Sequence, residues 1–545
     1  MIRTLTLGTL RRAGHNPVVP AALVVLALTL GISVLYPAMR VLSQPRLADW
    51  SAYLSSARWL RITGQTLWIT LLSTFTATAV GFAFAFAITR ARVPLSGLFK
   101  VGMLMPLVAP PFVFGLSFLL LFGRRGLITY EVLGLTTDVY GWHGLWLVQT
   151  LAFFPVAALA LVGVLNAIPA TLEYAAQDLG ARPGWVFRTV SLPLATPGLA
   201  SAALLVAIFV LGDFGNPTLV GGPFKVLATE AYAQLTGWYD LNMAATLSLV
   251  LLMPTLGVFL VQRYLLEGRS YTTVAGRASM LSPPPVASEI RWGLFILCGA
   301  VVLLEMAIYA VVLYGAFASV WGVDWRPTLT NFEYTWLRTR ELWNSTRFAA
   351  TAAGAGSFVA IVAAYLVHRH RFPGRGALDF AMVLPAAVPG TLMGIGYILA
   401  FNEPPLLLTG TGTIITLAML VRVLPVGYRS GVALLHQIGQ TLEEGAADLG
   451  APPPHVFRTI IFPLLRPAFV GAAIYGFIRS MNTLSSVVFL ISPGNSVASA
   501  SILALAEHGQ WSRASAMAVS LMVISIGGLA AARVVMGPRF RLFGL

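Results

Sequence analysis

The side chains that could do chemistry in this 545-residue chain are a few ionisable groups inside long apolar runs. They are Asp213, Glu305, Arg422, Arg429 and Arg479. An ionised group that faces lipid costs at least about 2.5–3.5 kcal/mol, so these side chains should face other helices or lie near an interface. Asp213 is the one that suggests contact with a passing hard cation, because such cations favour oxygen ligands. The alternative is that Asp213 braces a broken helix end beside Gly212 and Gly215.

The sequence carries no pattern for catalysis. No segment has the spacing Gly-x-x-x-x-Gly-Lys-Ser/Thr that cradles nucleotide phosphates, and no constellation suggests nucleophilic or metal-assisted catalysis. His368 and His370 flank Arg369 without a nearby carboxylate, so we interpret them as solvated rather than as metal ligands. Cys298 is the single cysteine, which excludes an intrachain disulfide. We therefore predict that the chain is not an enzyme and binds no metal or cofactor itself.

The composition is that of a protein that crosses a membrane many times. Hydrophobic residues make up 57% of the chain and charged residues 10%, whereas a soluble domain is about 45–50% apolar. The net charge of +15 is expected of a membrane protein that holds Lys and Arg in its cytoplasmic loops. No basic run is dense enough to follow phosphates, so no nucleic-acid partner is predicted.

We predict an all-α polytopic fold with about twelve transmembrane helices, taking about 20 apolar residues for each span. The predicted spans are 18–39, 64–89, 99–122, 142–165, 196–217, 241–263, 292–316, 346–367, 378–401, 412–436, 467–490 and 514–536. They divide into a first lobe (1–266) and a second lobe (292–545) of six spans each. The polar segment 267–291, which contains three successive prolines, is the predicted cytoplasmic linker.

The two lobes repeat each other. The string MLMPLVAPPFVFG (103–115) matches MVLPAAVPGTLMG (382–394), and EYAAQDLGARPGWVFRTVSLPL (173–194) matches EEGAADLGAPPPHVFRTIIFPL (443–464) at an offset of 270. Six spans separate equivalent points, so the lobes are parallel repeats related by an axis along the membrane normal. The distribution of Lys and Arg puts both termini and both copies of the polar string in the cytoplasm.

Each polar copy predicts two short helices joined by a turn. These are the first repeated loop (171–193) and the second repeated loop (441–463). Thr441 and Glu444 have the spacing of a capping box, which Tyr174 leaves incomplete in the first copy. Gly180 and Gly450 stand where a left-handed helix C-cap is expected, and a proline three residues later suits the start of the next helix.

The first helix of each loop carries an apolar stripe. The stripe consists of Leu172, Ala175, Ala176 and Leu179 in one copy and Leu442, Gly445, Ala446 and Leu449 in the other. An amphipathic helix that rests on lipid headgroups is the alternative interpretation. Lipid does not explain a duplicated glycine and a shared Val-Phe-Arg-Thr string. A surface presented twice on one side suits a partner that is itself a dimer.

The repeated loops resemble those of the permease subunits of bacterial ABC importers, whose pattern is Glu-Ala-Ala, three residues, Gly, nine residues, Ile, one residue and Leu-Pro. The chain matches it at Tyr174-Ala175-Ala176 with Gly180, and again at Glu444-Gly445-Ala446 with Gly450. The resemblance implies coupling helices seated on two copies of a cytoplasmic ABC ATPase, which would hold ATP and Mg²⁺ and rock the lobes by alternating access. The coupling residues it implies are Glu173, Ala175, Ala176, Asp178, Leu179, Gly180, Glu444, Ala446, Asp448, Leu449 and Gly450.

Two further strings, GDFGNPTLVGG (212–222) and RSMNTLSSVVFL (479–490), resemble the fused two-lobe ferric-iron permeases. This implies a bacterial inner-membrane protein that receives ferric iron from a periplasmic binding protein. Permeases for thiamine and for phosphonates share the architecture and stay open as alternatives. An ion-coupled secondary transporter fits less well, because the ionisable groups are scattered. The candidate pathway residues are Asp213, Asn216, Arg479 and Asn482.

Overall fold

The computed structural model describes residues 18–136, 138–266 and 282–536. The chain divides into two compact units. The larger unit comprises residues 45–339 and 501–522, and the smaller unit comprises residues 1–44, 340–500 and 523–545. Residues 267–281 of the predicted linker lie outside the described residues, as do both chain ends.

The larger unit is built from long apolar helices, with a short antiparallel hairpin of two strands. Its elements are α2 (Leu47–Ser55), α3 (Ala57–Thr89), α4 (Ser96–Val108), α5 (Phe112–Phe122), α6 (Trp142–Ala167), α7 (Ala170–Asp178), α8 (Pro183–Leu211), α9 (Gly215–Val220), α10 (Leu227–Thr236), α11 (Leu241–Tyr264), α12 (Ser288–Phe317), β1 (Ala318–Val320), β2 (Asp324–Pro327) and α13 (Thr330–Glu333). Most of α6 is buried, whereas α8 and α12 expose much of their apolar surface. This exposure is expected of helices that face lipid.

The smaller unit has the same kind of construction. Its elements, which include two that continue into the larger unit, are α1 (Val18–Ser43), α14 (Glu341–Arg369), α15 (Arg375–Ala386), α16 (Gly390–Phe401), α17 (Gly412–Leu435), α18 (Thr441–Asp448), α19 (Pro453–Met481), α20 (Ala498–Glu507) and α21 (Trp511–Met536). Within the described residues, eleven helices are long and apolar enough to cross a membrane, or twelve when a bent pair counts as one span. The predicted all-α polytopic fold is confirmed.

Four predicted spans are wrong as single helices. Two of them, 196–217 and 467–490, run past the helix ends at Leu211 and Met481, and in the other two a proline lies at the break. The span 99–122 consists of α4 and α5, with Ala109 in extended backbone ahead of Pro110. The span 378–401 consists of α15 and α16, which meet at an angle of 112° at a break that ends in Pro389. A residue that precedes proline is driven out of the helical region, so the chain stops and restarts at these points.

The first span of each lobe packs in the unit that is built mainly from the other lobe. In the smaller unit, Tyr397 on α16 donates a hydrogen bond of 2.7 Å from its hydroxyl to the Ser33 carbonyl on α1. In the larger unit, α12 lies so close to α4 that a Cβ placed on Gly102 would be 2.6 Å from a methyl carbon of Val302. The compact units and the predicted sequence lobes therefore differ in their first spans.

The central helix pair of each unit is held together by small residues at equivalent places. A Cβ on Gly81 of α3 would lie 2.7 Å from the Cβ of Ala157 on α6, and a Cβ on Gly427 of α17 would lie 2.7 Å from that of Ala360 on α14. The repeat thus keeps the contact but places its glycine on the opposite helix of the pair. Small residues let membrane helices approach closely enough for dispersion contacts to bind them.

We expect Gly81→Leu or Gly427→Leu to lower the thermal unfolding midpoint of the purified protein in detergent. Each substitution overpacks a tight helix contact, at a cost of about 1–3 kcal/mol. Gly163→Leu is the matched control on α6, because a Cβ there meets no atom within 4 Å. An unchanged midpoint in Gly81→Leu and Gly427→Leu would contradict the importance of these contacts.

Candidate functional site

The repeated loops fold as two short helices joined by a turn, as the sequence predicts. In the first loop, α7 ends at Asp178, and Gly180, two residues later, has a φ of +87°. The Gly180 amide donates to the Gln177 carbonyl at 2.8 Å, and the Ala181 amide donates to the Ala176 carbonyl at 3.0 Å. The same two bonds recur 270 positions later, where Gly450 has a φ of +82°. Both helices therefore end in a Schellman motif, which favours glycine at this position.

The predicted capping box at the start of the second loop is wrong. Thr441 is already inside α18, and the residue before it, Gln440, has helical backbone angles and makes no side-chain cap. Thr171 is likewise inside α7, which begins at Ala170. An N-cap side chain needs extended backbone to reach the first turn, so a threonine within the helix does not cap it.

The stripes on α7 and α18 end in large exposed apolar side chains. Leu179 and Leu449 are 90% and 91% exposed, and Leu172 and Leu442 are about half exposed. Of the other predicted coupling residues, the exposed ones are Ala175, Asp178, Gly180, Glu444, Asp448 and Gly450, and the half-buried ones are Ala176 and Ala446. An exposed leucine at the tip of a polar loop is suited to apolar contact with a partner protein.

Glu173 differs from the other predicted coupling residues because its side chain is buried. It lies beneath α7 and contacts an arginine. Arg90 follows the last residue of α3, and its Nη1 lies 3.0 Å from Glu173 Oε2. Its Nη2 donates to the carbonyls of Leu165 and Ile168, at 2.6 and 2.9 Å. Those carbonyls belong to the end of α6, where the last turn of a helix leaves acceptors unpaired. One guanidinium therefore joins the ends of α3 and α6 to the first turn of α7.

The second loop carries the same arrangement. Arg369 is the last residue of α14, and its Nε lies 2.7 Å from Glu443 Oε1. Its Nη2 donates to the carbonyls of Leu435 and Ile438, at 3.3 and 2.7 Å. Every partner is the repeat counterpart of a partner in the first loop. We call each group of one arginine, one glutamate and two carbonyls an arginine clamp.

The two clamps differ in the hydroxyl that completes them. Ser191 on α8 donates to Glu173 Oε1 at 2.8 Å, whereas Tyr365 on α14 donates to Glu443 Oε2 at 3.4 Å. The Glu173 side chain is 4% exposed and the Glu443 side chain is 17% exposed. Burial raises the pKa of the Glu443 carboxyl, and Arg369 acts in the opposite direction. Burial lowers the pKa of Arg90, and Glu173 opposes that shift.

Sequence reasoning missed the arginines of the clamps and treated them only as charges that mark one side of the membrane. A signal was present. Arg90 and Arg369 stand 279 positions apart, as do the two strings that begin at Met103 and Met382. A buried arginine at the same point of two repeats needs an acid, and the duplicated Glu173 and Glu443 supply it.

Asp213 lies in the break between α8 and α9, and protein groups donate to both of its carboxylate oxygens. Oδ2 accepts from Gln149 Nε2 and from Asn216 Nδ2, each at 3.0 Å, and Oδ1 accepts from the Asn216 amide at 3.3 Å. The Ser73 hydroxyl donates to the Gln149 side-chain oxygen at 2.9 Å, and the Gly115 amide donates to the Asn216 side-chain oxygen at 3.2 Å. Of the four candidate pathway residues, Asp213 and Asn216 are thus in direct contact at a helix break.

The smaller unit has a different set at the equivalent place. Thr483 and Ser486 stand where Asp213 and Asn216 are found, with their hydroxyls 3.5 Å apart. Arg479 lies in the last turn of α19, and Asn482 follows its last residue. The break between α15 and α16 is braced by Arg422, whose Nη1 donates to the Val388 carbonyl at 3.1 Å.

Residues 61–269 and 356–539 match the family described as binding-protein-dependent transport system inner membrane component. The ferric transport system permease protein FbpB of Actinobacillus pleuropneumoniae is 34% identical over 477 residues, which are 85% of this chain and 69% of that protein. The putative ferric transport system permease protein FbpB 1 of Haemophilus influenzae is 31% identical over 511 residues, which are 90% of this chain and 81% of that protein. The molybdenum transport system permease protein ModB of Mycobacterium tuberculosis is 34% identical over 184 residues, or 33% of this chain and 69% of that protein.

We expect Asp213→Leu to lower the thermal unfolding midpoint, because it leaves donors on Gln149 and Asn216 buried without an acceptor. Each such group costs about 1–3 kcal/mol. Asp213→Asn should have a smaller effect, since the amide keeps one acceptor and the size of the side chain. Asp178→Leu, at an exposed position, is the control. Equal midpoints for Asp213→Leu and the unaltered chain would show that Asp213 does not brace the break.

Proposed function

The chain belongs to the family of binding-protein-dependent transport system inner membrane components, and from that premise we propose that it is the membrane permease of an ATP-driven ferric-iron importer. Each of the two segments that match the family contains one repeated loop and one arginine clamp. The chain is a multi-pass membrane protein. Substrate delivered by a periplasmic binding protein crosses the membrane through it by alternating access.

The observation that carries the coupling role is the duplicated exposed helix tip. Leu179 and Leu449 are held outward by two turns with the same hydrogen bonds and similar positive φ values, a conformation that favours glycine. Two identical tips fit two copies of one cytoplasmic ABC ATPase, each with a groove that receives a short helix. ATP and Mg²⁺ are bound and ATP is hydrolysed in those ATPase subunits. The sequence of the permease itself has no phosphate-binding loop.

The ferric substrate is supported by the extent of the matches. The two ferric-transport relatives align with 85% and 90% of the chain, so they share the fused two-lobe arrangement. The molybdenum-transport relative aligns with 33%. Thiamine and phosphonates remain the alternative substrates within the same importer class. The pathway role of Asp213, Asn216, Arg479 and Asn482 is part of this proposal, and the hydrogen bonds on Asp213 favour a bracing role over direct contact with iron.

We expect Gly180→Val or Gly450→Val to reduce ferric-iron uptake while the protein stays in the membrane. A side chain at positive φ costs about 1–2 kcal/mol, and a β-branched one is among the worst. The tip leucine would then leave its position. Uptake of radioactive ferric iron, divided by permease abundance, is the measurement. Gly184→Val is the control, because Gly184 is exposed and has ordinary backbone angles. Normal uptake in both Gly180→Val and Gly450→Val would refute the coupling role.

We expect the repeated loops to be shielded from the outside of the cell. The starting variant is Cys298→Ser, which removes the single buried cysteine. A cysteine then placed at Gly184 or Pro454 should resist a membrane-impermeant thiol reagent added to intact cells, whereas one at Pro493 should react. All three positions are exposed on the protein. Labelling at both loops would place them outside and remove the ATPase from the proposal.

A further inference from the structure

The arginine clamps join parts of the chain that a coupling helix needs to move. Each guanidinium is almost fully buried, with 6% of the Arg90 side chain and 5% of the Arg369 side chain exposed. Each holds a glutamate in the first turn of a repeated loop and two carbonyls at the end of the preceding membrane helix. The arginine itself ends another membrane helix. Three segments therefore meet on one planar group.

The electrostatics of the clamp make separation unfavourable. The carbonyl end of α6 is the negative end of its dipole, and the glutamate adds a full negative charge at the start of α7. Arg90 neutralises both at once, since its donors lie in a rigid fork that reaches an acid and a carbonyl from different edges. Moving α7 away would leave a charge buried without a partner, which is strongly unfavourable. The helix ends must follow the loop instead.

We propose that Arg90 and Arg369 are positioning residues that transmit the movement of each coupling helix to the membrane helices α3 and α6, and α14 and α17. The proposal rests on the coupling function given above and names the groups through which the movement passes. The clamps need not touch the ATPase. Glu173 is covered by the protein, whereas the tip Leu179 of the same helix is exposed.

A clamp that only stabilises the fold is the competing explanation, and a double apolar variant separates the two. Arg90→Met alone leaves Glu173 buried without its partner, which is strongly destabilising. Arg90→Met together with Glu173→Leu removes both charges, and such replacements of buried ion pairs are often neutral for stability. If the clamp transmits movement, the double variant folds and binds the ATPase but couples poorly. If it only stabilises, the double variant works normally.

The experiment uses the whole transporter, co-expressed with its ATPase and its binding protein and placed in proteoliposomes. The readout is the number of ferric ions imported for each ATP hydrolysed, with the iron supplied on the binding protein. For Arg90→Met/Glu173→Leu and for Arg369→Met/Glu443→Leu we expect this ratio to fall by about twofold to thirtyfold. Co-purification of the ATPase should be unchanged. The controls are Arg92→Met and Arg371→Met, which alter exposed arginines at equivalent points of the repeat.

The outcomes are separable. A wild-type ratio in both double variants overturns the clamp proposal and leaves the importer intact. A parallel loss of uptake and ATP hydrolysis, at an unchanged ratio, also overturns it, because that is the result of fewer folded molecules. Absence of any ATPase from the purified wild-type protein refutes the proposed function itself. Arg90→Lys gives a further check, since it keeps the charge without the planar fork and should restore part of the ratio.

Discussion

A backbone group that leaves helical hydrogen bonding inside a membrane must find a partner in the protein, because lipid offers none. This constraint accounts for Asp213 and Arg422 among the ionisable residues of the apolar runs. Asp213 and Asn216 bond across the break before α9, and Arg422 donates to the Val388 carbonyl in the break before α16. At the ends of α6 and α17, Arg90 and Arg369 likewise donate to backbone carbonyls. Asp213, Arg422, Arg90 and Arg369 thus each bond to a backbone group at a point where a helix stops.

The two lobes have kept some of these solutions and changed others. The arginine clamps agree partner by partner, whereas the network around Asp213 is replaced in the smaller unit by smaller polar groups such as Thr483. A homodimer would have to carry identical groups in both halves. A fused chain is free to keep equivalent clamps beside its two repeated loops and to vary the groups in its helix breaks. The positions that agree between the lobes lie beside the repeated loops, and those that differ lie in the helix breaks.

The sequence predicts the parts of the structure that depend on composition and on repeat spacing. Long apolar runs predict the spans, and Gly180 with its counterpart predicts the left-handed turn, because glycine is the residue that this backbone favours. The capping box failed, since the spacing of Thr441 and Glu444 fits a cap only if the helix starts one residue later than it does. The clamps were not predicted because two of the three partners of each arginine are backbone carbonyls, which every residue carries. The first span of each lobe packs in the unit built mainly from the other lobe. This depends on packing between distant segments, for which a single sequence has no local signal.

A buried ion pair contributes little to stability over a well-packed apolar contact, so its presence twice calls for another explanation. What an ion pair provides is a fixed relative position, since an arginine fork accepts few arrangements of acid and carbonyl. In the first lobe the hydroxyl of Ser191 extends the clamp to α8, so four helices share it. In the second lobe Tyr365 lies one turn before Arg369 on α14, and the clamp joins three helices. The first clamp therefore bonds to residues near both ends of the first loop, Glu173 and Ser191. The second clamp bonds to Glu443, near the start of the second loop.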